Sequence, residues 1–471
     1  MESKHLLPLT QAVILALATG GAHAASITVS TAGDSGGAGT CTLRQAIESA
    51  NTDSAQGNCT AGSGADTIAF ASNVTSVVLT GGELLIDSSV TISGSGQTIT
   101  AAPYSRVMSI VNNANTVSTV NLSDLILTGG NYDSPGAGLS IGAPSGPPVR
   151  PAHSTSANAP RPAANGPTVS LNRVTVSNNT SNVHAGGVYI SASTVDITQS
   201  TISGNSLAAS GNYAAGGIYI TNGSNVTITD STISGNSASG PDKYLAGGVY
   251  AWGSQLTVIN STITGNGAYG IDYLAGGASV AYGPAAIYNS TISGNTTSTS
   301  SNVAAGGILV GAENVASLAL VNTILTGNTG TQADMGVYAS SNVIAQFNLL
   351  GTALQSTYSG NGNVFSDAPG LGALGNNGGP TLTMKPNTGS PALGAGSVAL
   401  IPAGVTTDQR GTGFARVVNG SLDVGAVEAA AGAGAVAAAT VPTPALSTWA
   451  LALLGGLLAL LGLRKRKRAD G

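Results

Sequence analysis

Carboxylates, histidines and aromatic side chains are the groups with chemistry to offer in the repeated middle of this 471-residue chain. Asp196, Asp230, Asp272 and Asp334 are scattered singly. Cleaving a glycosidic bond needs two carboxylates at a defined separation across it, and this spacing offers no such pair. Asp230 shares its repeat position with Arg173, Gln199, Asn260, Asn289 and Asn322. Exchange among those residue types reads as turn chemistry. Outside the leader the histidines are His153 and His184, and nothing marks a Ser-His-Asp triad. No Cys/His spacing of a metal site occurs. Gly136, Gly138 and Gly142 miss the dinucleotide-binding spacing. The reading assigns no catalytic residue, no metal ligand and no cofactor.

The aromatic residues are more informative. Tyr189, Tyr219 and Tyr250 each follow a Gly-Gly pair by two residues, and Trp252 lies nearby. By strand alternation they face opposite to Val188, Ile218 and Val249. If those three point inward, the tyrosines form an outward row. An exposed aromatic row suits sugar or protein partners, so Tyr189, Tyr219, Tyr250 and Trp252 are the candidate binding residues. The competing reading is a stacking ladder that stabilises the coils, or cover over a loop. A second set, Tyr213, Tyr244 and Tyr273, lies three residues before Gly-Gly.

These residues sit on a repeat of about thirty residues. The phrase S-T-I-S-G-N or a variant ends at Asn179, Asn205, Asn236, Asn266, Asn295 and Asn328. A polar loop follows, then a pair beginning at Gly186, Gly216, Gly247, Gly276 or Gly306. Fixed self-similarity of this length means a stacked solenoid. Within it, Val226-Thr-Ile-Thr, Ser231-Thr-Ile-Ser and Gly248-Val-Tyr-Ala alternate apolar and polar, which predicts three short strands per coil. The expected fold is all-β, a β-helix of stacked coils. Ile202, Ile233, Ile263, Ile292 and Ile324 are expected as an inward ladder, and the repeated Asn as a second ladder satisfying its own amides. The variable loop between Asn and Gly-Gly is the expected binding side.

Composition adds limits. Charged residues make up 7% of the chain and Gly 67 positions. Residues 26–440 hold nine Lys and Arg against eighteen Asp and Glu, which argues against nucleic acid as partner. Leu6 to Ala18 is apolar after Lys4, and Ala22-His23-Ala24 has the small-residue pattern of a cleavage site. Residues 1–24 therefore read as a secretory signal. In an exported chain the pair Cys41 and Cys59 reads as a disulfide, worth roughly 3 kcal/mol in the chain-entropy model. Thr42-Leu-Arg-Gln45 has capping-box spacing, and Leu43, Ala46, Ile47 and Ala50 follow at helical spacing. This predicts a short capping helix in a module over residues 25–70. Repeats follow over 71–365, with a Pro-rich inserted loop at 144–167 carrying Arg150, His153 and Arg161. An Ala/Gly linker occupies 429–440, and Ala445 to Leu463 is apolar for long enough to span a bilayer. Arg464-Lys-Arg-Lys-Arg468 would stay cytoplasmic.

Three resemblances add to this. Cys41-Thr-Leu-Arg-Gln-Ala-Ile and Asp66-Thr-Ile-Ala-Phe70 resemble the N-terminal module named for its C-S-L-R-E-A signature, with Thr for Ser and Gln for Glu. Gly378-Gly-Pro-Thr-Leu-Thr383, Gly389-Ser-Pro-Ala392, Asp408-Gln-Arg-Gly411 and Asp423-Val-Gly-Ala426 resemble the closing segment of the same proteins, here residues 366–428, and the resemblance at both ends implies a right-handed parallel β-helix. Gly-Gly-Val-Tyr and Ile-Ser-Gly-Asn resemble the paired motifs of chlamydial polymorphic outer-membrane proteins, which are surface adhesins. Val441-Pro442-Thr443, then Leu446-Ser447 and Trp449, with the apolar span and basic end, resemble the IPTL-CTERM sorting signal of Gram-negative bacteria, interrupted by Pro444-Ala445. That resemblance implies a membrane processing enzyme as partner. It also implies an exported protein, anchored by residues 441–471 at least transiently and then found on the outer surface or outside. The resulting expectation is a surface β-helix with a non-enzymatic adhesive or structural role, meeting glycans or surface proteins. The alternative is a polysaccharide lyase or glycoside hydrolase of the pectate-lyase-like fold.

Overall fold

The computed structural model describes residues 24–429, apart from 114–115, 143–165, 209–212, 242–243, 300–302, 312–314, 339–340 and 355–357. The expected signal segment up to residue 23, most of the Pro-rich loop, and the expected linker, apolar span and sorting motif from residue 430 onward lie outside the described residues.

Short β-branched runs alternate with tight corners, and every pairing between successive coils is parallel. One coil shows the pattern: Asn225–Thr229 and Thr232–Ser234 form the first two faces, and Val249–Trp252 the third. Each pairs in register with its equivalent in the next coil. The first two faces merge into one twenty-stranded sheet, because Val90–Thr100 and Thr119–Thr128 run through the corner between them. The third face is a nine-stranded sheet. The chain is a right-handed parallel β-helix. Stacking begins inside the segment assigned to the cap, since Ser26–Val29 already pairs with Asp66–Phe70.

The corners explain the repeated polar residues. Arg173, Gln199, Asp230, Asn260, Asn289 and Asn322 all have positive φ, between 46° and 53°, so this position is set by backbone geometry. Asn205, Asn236, Asn266 and Asn295 are fully buried. Asn266 Nδ2 donates to Asn295 Oδ1 at 2.9 Å and to Ile233 O at 3.0 Å, while its backbone N donates to the same Asn295 oxygen at 3.1 Å. The row ends on a carboxylate, with Asn328 Nδ2 donating to Asp334 Oδ1 at 2.9 Å. A second ladder lies at the other corner, where the N–H groups of Ser200, Ser231 and Ser261 each donate to the next hydroxyl at 3.1 Å.

At the start of the stack, helix α1 (Leu43–Thr52) has Thr42 as N-cap and a complete capping box with Gln45. Its apolar face joins Ile27, Val29 and Ile68 in the core. Cys41 and Cys59 form a disulfide.

Two expectations need correction. The inward ladder runs Ile202, Ile233, Ile263, Ile292 and then Leu325, because Ile292 pairs with Leu325 and Thr291 with Ile324. Ile324 faces the other way. The loop between Asn and Gly-Gly is itself stranded: Ser206–Ala208, Ser237–Ser239, Gly267–Tyr269 and Thr296–Ser298 stack in one sheet, and Tyr213–Ala215, Tyr244–Ala246, Leu274–Ala275 and Ala304–Ala305 in another. Residues 366–428, expected as the closing segment, dock along the side of the stack, where Thr262 Oγ1 donates to Gln409 Oε1 at 2.6 Å and Asn322 Nδ2 to Ser397 O at 3.1 Å.

Candidate functional site

Two regions hold the candidate groups. The first is the tyrosine row. Tyr189, Tyr219 and Tyr250 stack in register on the third face and point away from the lumen, as alternation requires. They are nevertheless buried, Tyr219 and Tyr250 at 1% exposure, and Trp252 is buried beside them. The expected outward row is therefore not a surface. The reason is the stranded loop, whose Ala215, Ala246 and Ala275 pack against these rings and make a second, narrow core outside the first. Neighbouring rings are tilted, with centroids 5.9 Å apart for Tyr189–Tyr219 and 5.5 Å for Tyr219–Tyr250. Such spacing is favourable aromatic contact. His184 stacks on Tyr219 at 5.4 Å and its Nδ1 lies 2.9 Å from the Tyr213 carbonyl. Burial pushes its pKa down.

The second tyrosine set is what reaches solvent. Tyr213, Tyr244 and Tyr273 are half-buried and stacked face to face, with centroids 5.0 and 4.8 Å apart. Their ring faces are occupied by one another, so they present ring edges rather than a flat platform. Tyr269, also in the loop, is exposed.

The second region is the seam between residues 366–428 and the solenoid, which the sequence did not single out as a site. Outward hydroxyls of the repeated S-T-I-S phrase dock it. Thr232 Oγ1 donates to Leu382 O at 2.5 Å, Thr262 Oγ1 to Gln409 Oε1 at 2.6 Å, and Ala426 N to Thr291 Oγ1 at 3.0 Å. Gln409, fully buried, also donates from Nε2 to Thr232 Oγ1 and Ser231 O. The positive-φ corner contributes too: Asn260 Nδ2 donates to Thr407 O at 2.8 Å, and Asn322 exchanges bonds with Ser397. Ile324 completes the contact in a small apolar cluster with Leu349, Ala392 and Val424.

Within the seam, buried charges are paired. Arg410 binds Asp408, with Nη2 2.6 Å from Oδ2, and its guanidinium lies 3.9 Å from the Phe414 ring. Arg416, fully buried, binds Glu428 and the carbonyls of Gly425 and Asp423. Burial pushes Glu428 up to about 7 against the opposing charge of Arg416, with Asp423 adding to the rise. Burial likewise raises Asp230 to about 6, opposed by its bond from Asn260, with Asp408 nearby raising it further. Carboxyls raised in this way are what general acids need. These two, however, are held against Arg416 and Asn260 inside a packed interface. Asp334, also raised by burial, terminates the Asn ladder, and Asp196 is exposed on a strand. Among the described residues no group of three or more His, Cys, Asp or Glu is arranged to hold a metal ion.

Comparison with known proteins agrees with this geometry. Residues 164–350 match the family model of the right handed beta helix region. Residues 442–468 match the IPTL-CTERM motif. The chain carries a β-helix region and an IPTL-CTERM tail. That pairing suggests a secreted or surface β-helix protein with a C-terminal sorting signal. The IPTL-CTERM match takes in Pro442, Thr443, Leu446, Ser447 and Trp449 and begins one residue after Val441. No helix among the described residues is long and apolar enough to cross a membrane; the expected span from Ala445 to Leu463 is outside them. No curated protein matches the chain.

Proposed function

We propose that this protein is an exported β-helix that acts at the cell surface or in the envelope by adhesion or as a structural element, without turnover of a substrate. The observation that carries the reading is the fate of its chemistry-bearing groups. The repeated Asn and Ser, the outward Thr, the buried tyrosines and the paired carboxylates are all consumed in holding coils, loop and C-terminal segment together. What faces outward is a set of polar strand faces and the half-buried edge of Tyr213, Tyr244 and Tyr273. Edges carrying hydroxyls suit hydrogen-bonded contact with glycans or surface proteins. The candidate binding set accordingly moves from Tyr189, Tyr219, Tyr250 and Trp252 to this rim.

The IPTL-CTERM tail brings in a membrane processing enzyme as partner. In this reading residues 445–463 hold the protein in a membrane at least transiently, and processing then releases it to the outer surface or beyond. The test pairs a glycan array and whole-cell binding with a reducing-sugar and unsaturated-product assay over common polysaccharides. Binding without turnover is the expected result. Robust turnover would replace this reading with a polysaccharide lyase or hydrolase.

A further inference from the structure

The first strand of the stack, Ser26–Val29, begins where the expected secretory signal ends. Ala24 is exposed, Ala25 is half-buried against the core, and Ile27 is fully buried. The edge of the fold therefore falls at the Ala24–Ala25 bond. That bond directly follows Ala22-His23-Ala24, whose small first and third residues suit a signal peptidase.

Ala25 is also where the chain meets a buried acid. Asp66 opens the strand Asp66–Phe70, which pairs with Ser26–Val29, and it is fully buried. Its Oδ1 accepts from Ala25 N at 2.8 Å and from Ser63 N at 2.9 Å. Its Oδ2 is buried and has no hydrogen-bond partner. Gly62 closes that side: a methyl group placed on it would lie 2.7 Å from Oδ2 and 2.3 Å from the Ser49 carbonyl of α1. Among the described residues the ion pairs are made by Arg44, Arg106, Arg173, Arg410 and Arg416, and none reaches Asp66. Two neutral amide donors thus face a buried carboxylate that lacks a counter-charge, and such a group is costly.

Removing the leader supplies the counter-charge. A signal peptidase adds one water across the Ala24–Ala25 bond. The hydroxyl goes to the Ala24 carbonyl, which leaves with the leader as a carboxylate after losing a proton. The hydrogen goes to the Ala25 nitrogen, which takes up one more proton near neutral pH, as α-amines do. The nitrogen that gave Asp66 a single amide proton then carries three protons and a positive charge, at 2.8 Å from Oδ1. A start at Ser26 would not do this, because Ser26 lies one position further on, opposite Thr67. A start at Ala24 would put the charge on an exposed residue.

We propose that Ala25 is the mature N-terminus and that its α-ammonium forms an ion pair with buried Asp66, so that leader removal itself locks the first coil. The proposal rests on the exported reading and goes beyond it by assigning the cut and giving the new terminus a task. Chain ends fray unless they are tied down, and this pair ties Ser26–Val29 to Asp66–Phe70 at the point where the chain begins. The leader-bearing chain has a neutral amide in the same place and closes this coil less firmly.

Mass spectrometry of the exported protein reads the first residue, expected to be Ala25. Three full chains are then compared: one starting at Ala25, the same chain with Asp66→Asn, and one starting at Ala24. Each is treated with an amine-acylating reagent at pH 7, with Lys385 as internal reference. The terminal amine of the first chain is expected to label at least about tenfold more slowly than that of the other two, because each of those lacks one partner of the pair. Amide exchange in peptides 25–29 and 66–70 is expected to be slowest in the first chain, with peptides from the Ile202–Ile292 ladder unchanged. Should Asp66→Asn not fold, the chain starting at Ala24 keeps Asp66 and makes the same comparison. Equal labelling of the Ala25 and Ala24 chains would overturn the ion pair and leave export standing. A mature chain beginning elsewhere would overturn the assigned cut, and an exported chain that keeps residues 1–24 would remove the secretory-signal reading as well.

Discussion

Gly248 lies against the side chain of Asn266 in the next coil. A methyl group placed on Gly248 would come within 3.2 Å of Asn266 Nδ2 and 2.4 Å of the Gly277 carbonyl. The two loudest signals of the repeat, the Asn and the Gly-Gly, are thus two sides of one contact. The Asn ladder lines the wall, and only glycine lets the chain pass beside it on the way from the outer loop to the third face.

Asn266→Ala should therefore be among the costliest single changes. It leaves the N–H and Nδ2 of Asn236 without their acceptor and the Ile233 carbonyl without its donor. At about 1–3 kcal/mol for each buried group left unsatisfied, a loss of more than about 3 kcal/mol is expected. Gly248→Ala should also destabilise, by overpacking. Urea unfolding followed by circular dichroism checks both, and an unchanged midpoint for Asn266→Ala would show that the ladder is not needed.

Much of this was legible in the sequence. The capping box at Thr42–Gln45, the Asn ladder and the inward Ile ladder each rest on local periodicity, which a repeat makes visible many times over. For the tyrosines the sequence offered both an outward row and a ladder packed with a loop, and could not decide between them because Tyr219 is covered by a loop whose own strands are only three residues long. The burial of Thr232, Thr262 and Thr291 was hidden for a different reason: their cover comes from a segment more than a hundred residues downstream. Sequence alternation says which side of a strand a residue is on, but not whether something else lies there.

The tyrosine row now makes opposite predictions for its two sets. Tyr219→Ser with Tyr250→Ser removes two fully buried rings, and losses of about 3–5 kcal/mol for each are expected from cavity formation. Tyr244→Ser acts on the half-buried rim and should cost less stability while weakening any glycan or cell binding. Thermal melting and a binding assay on the same preparations separate the effects. Loss of binding confined to the buried pair, with folding intact, would return the site to Tyr219 and Tyr250.

Reduction of Cys41–Cys59 should loosen the first coil and leave the later ones stacked. The disulfide ties the segment before α1 to the segment after it, and its removal is worth roughly 3 kcal/mol in the chain-entropy model. Alkylation without reductant, followed by intact mass, should show no added label. A mass gain from two labelled sulfurs would mean the pair is not joined in the secreted protein.

The tail gives a prediction independent of the fold. If residues 442–468 act as a sorting signal that is processed, the surface-located form should lack the basic peptide from Arg464 to Arg468. Mass spectrometry of the mature C-terminus decides this. Recovery of that peptide from the surface form would leave a plain single-pass anchor instead.

Ile324 and Leu325 offer the sharpest separation of solenoid from C-terminal segment, because they are adjacent, both fully buried, and point to different cores. Leu325 continues the lumen ladder from Ile292, whereas Ile324 packs on Ala392 and Val424 with Gly425 close against its side chain. Each change to Ser should cost a few kcal/mol, since it trades a large apolar side chain for a cavity and a buried hydroxyl. The consequences should differ in place. Leu325→Ser should open the coils around it, seen as lost exchange protection in Ile292 and Leu350 peptides. Ile324→Ser should leave those peptides protected and instead expose residues 392–426 to exchange and to protease. Equal loss of protection in both places for both variants would mean that segment and solenoid unfold as one unit.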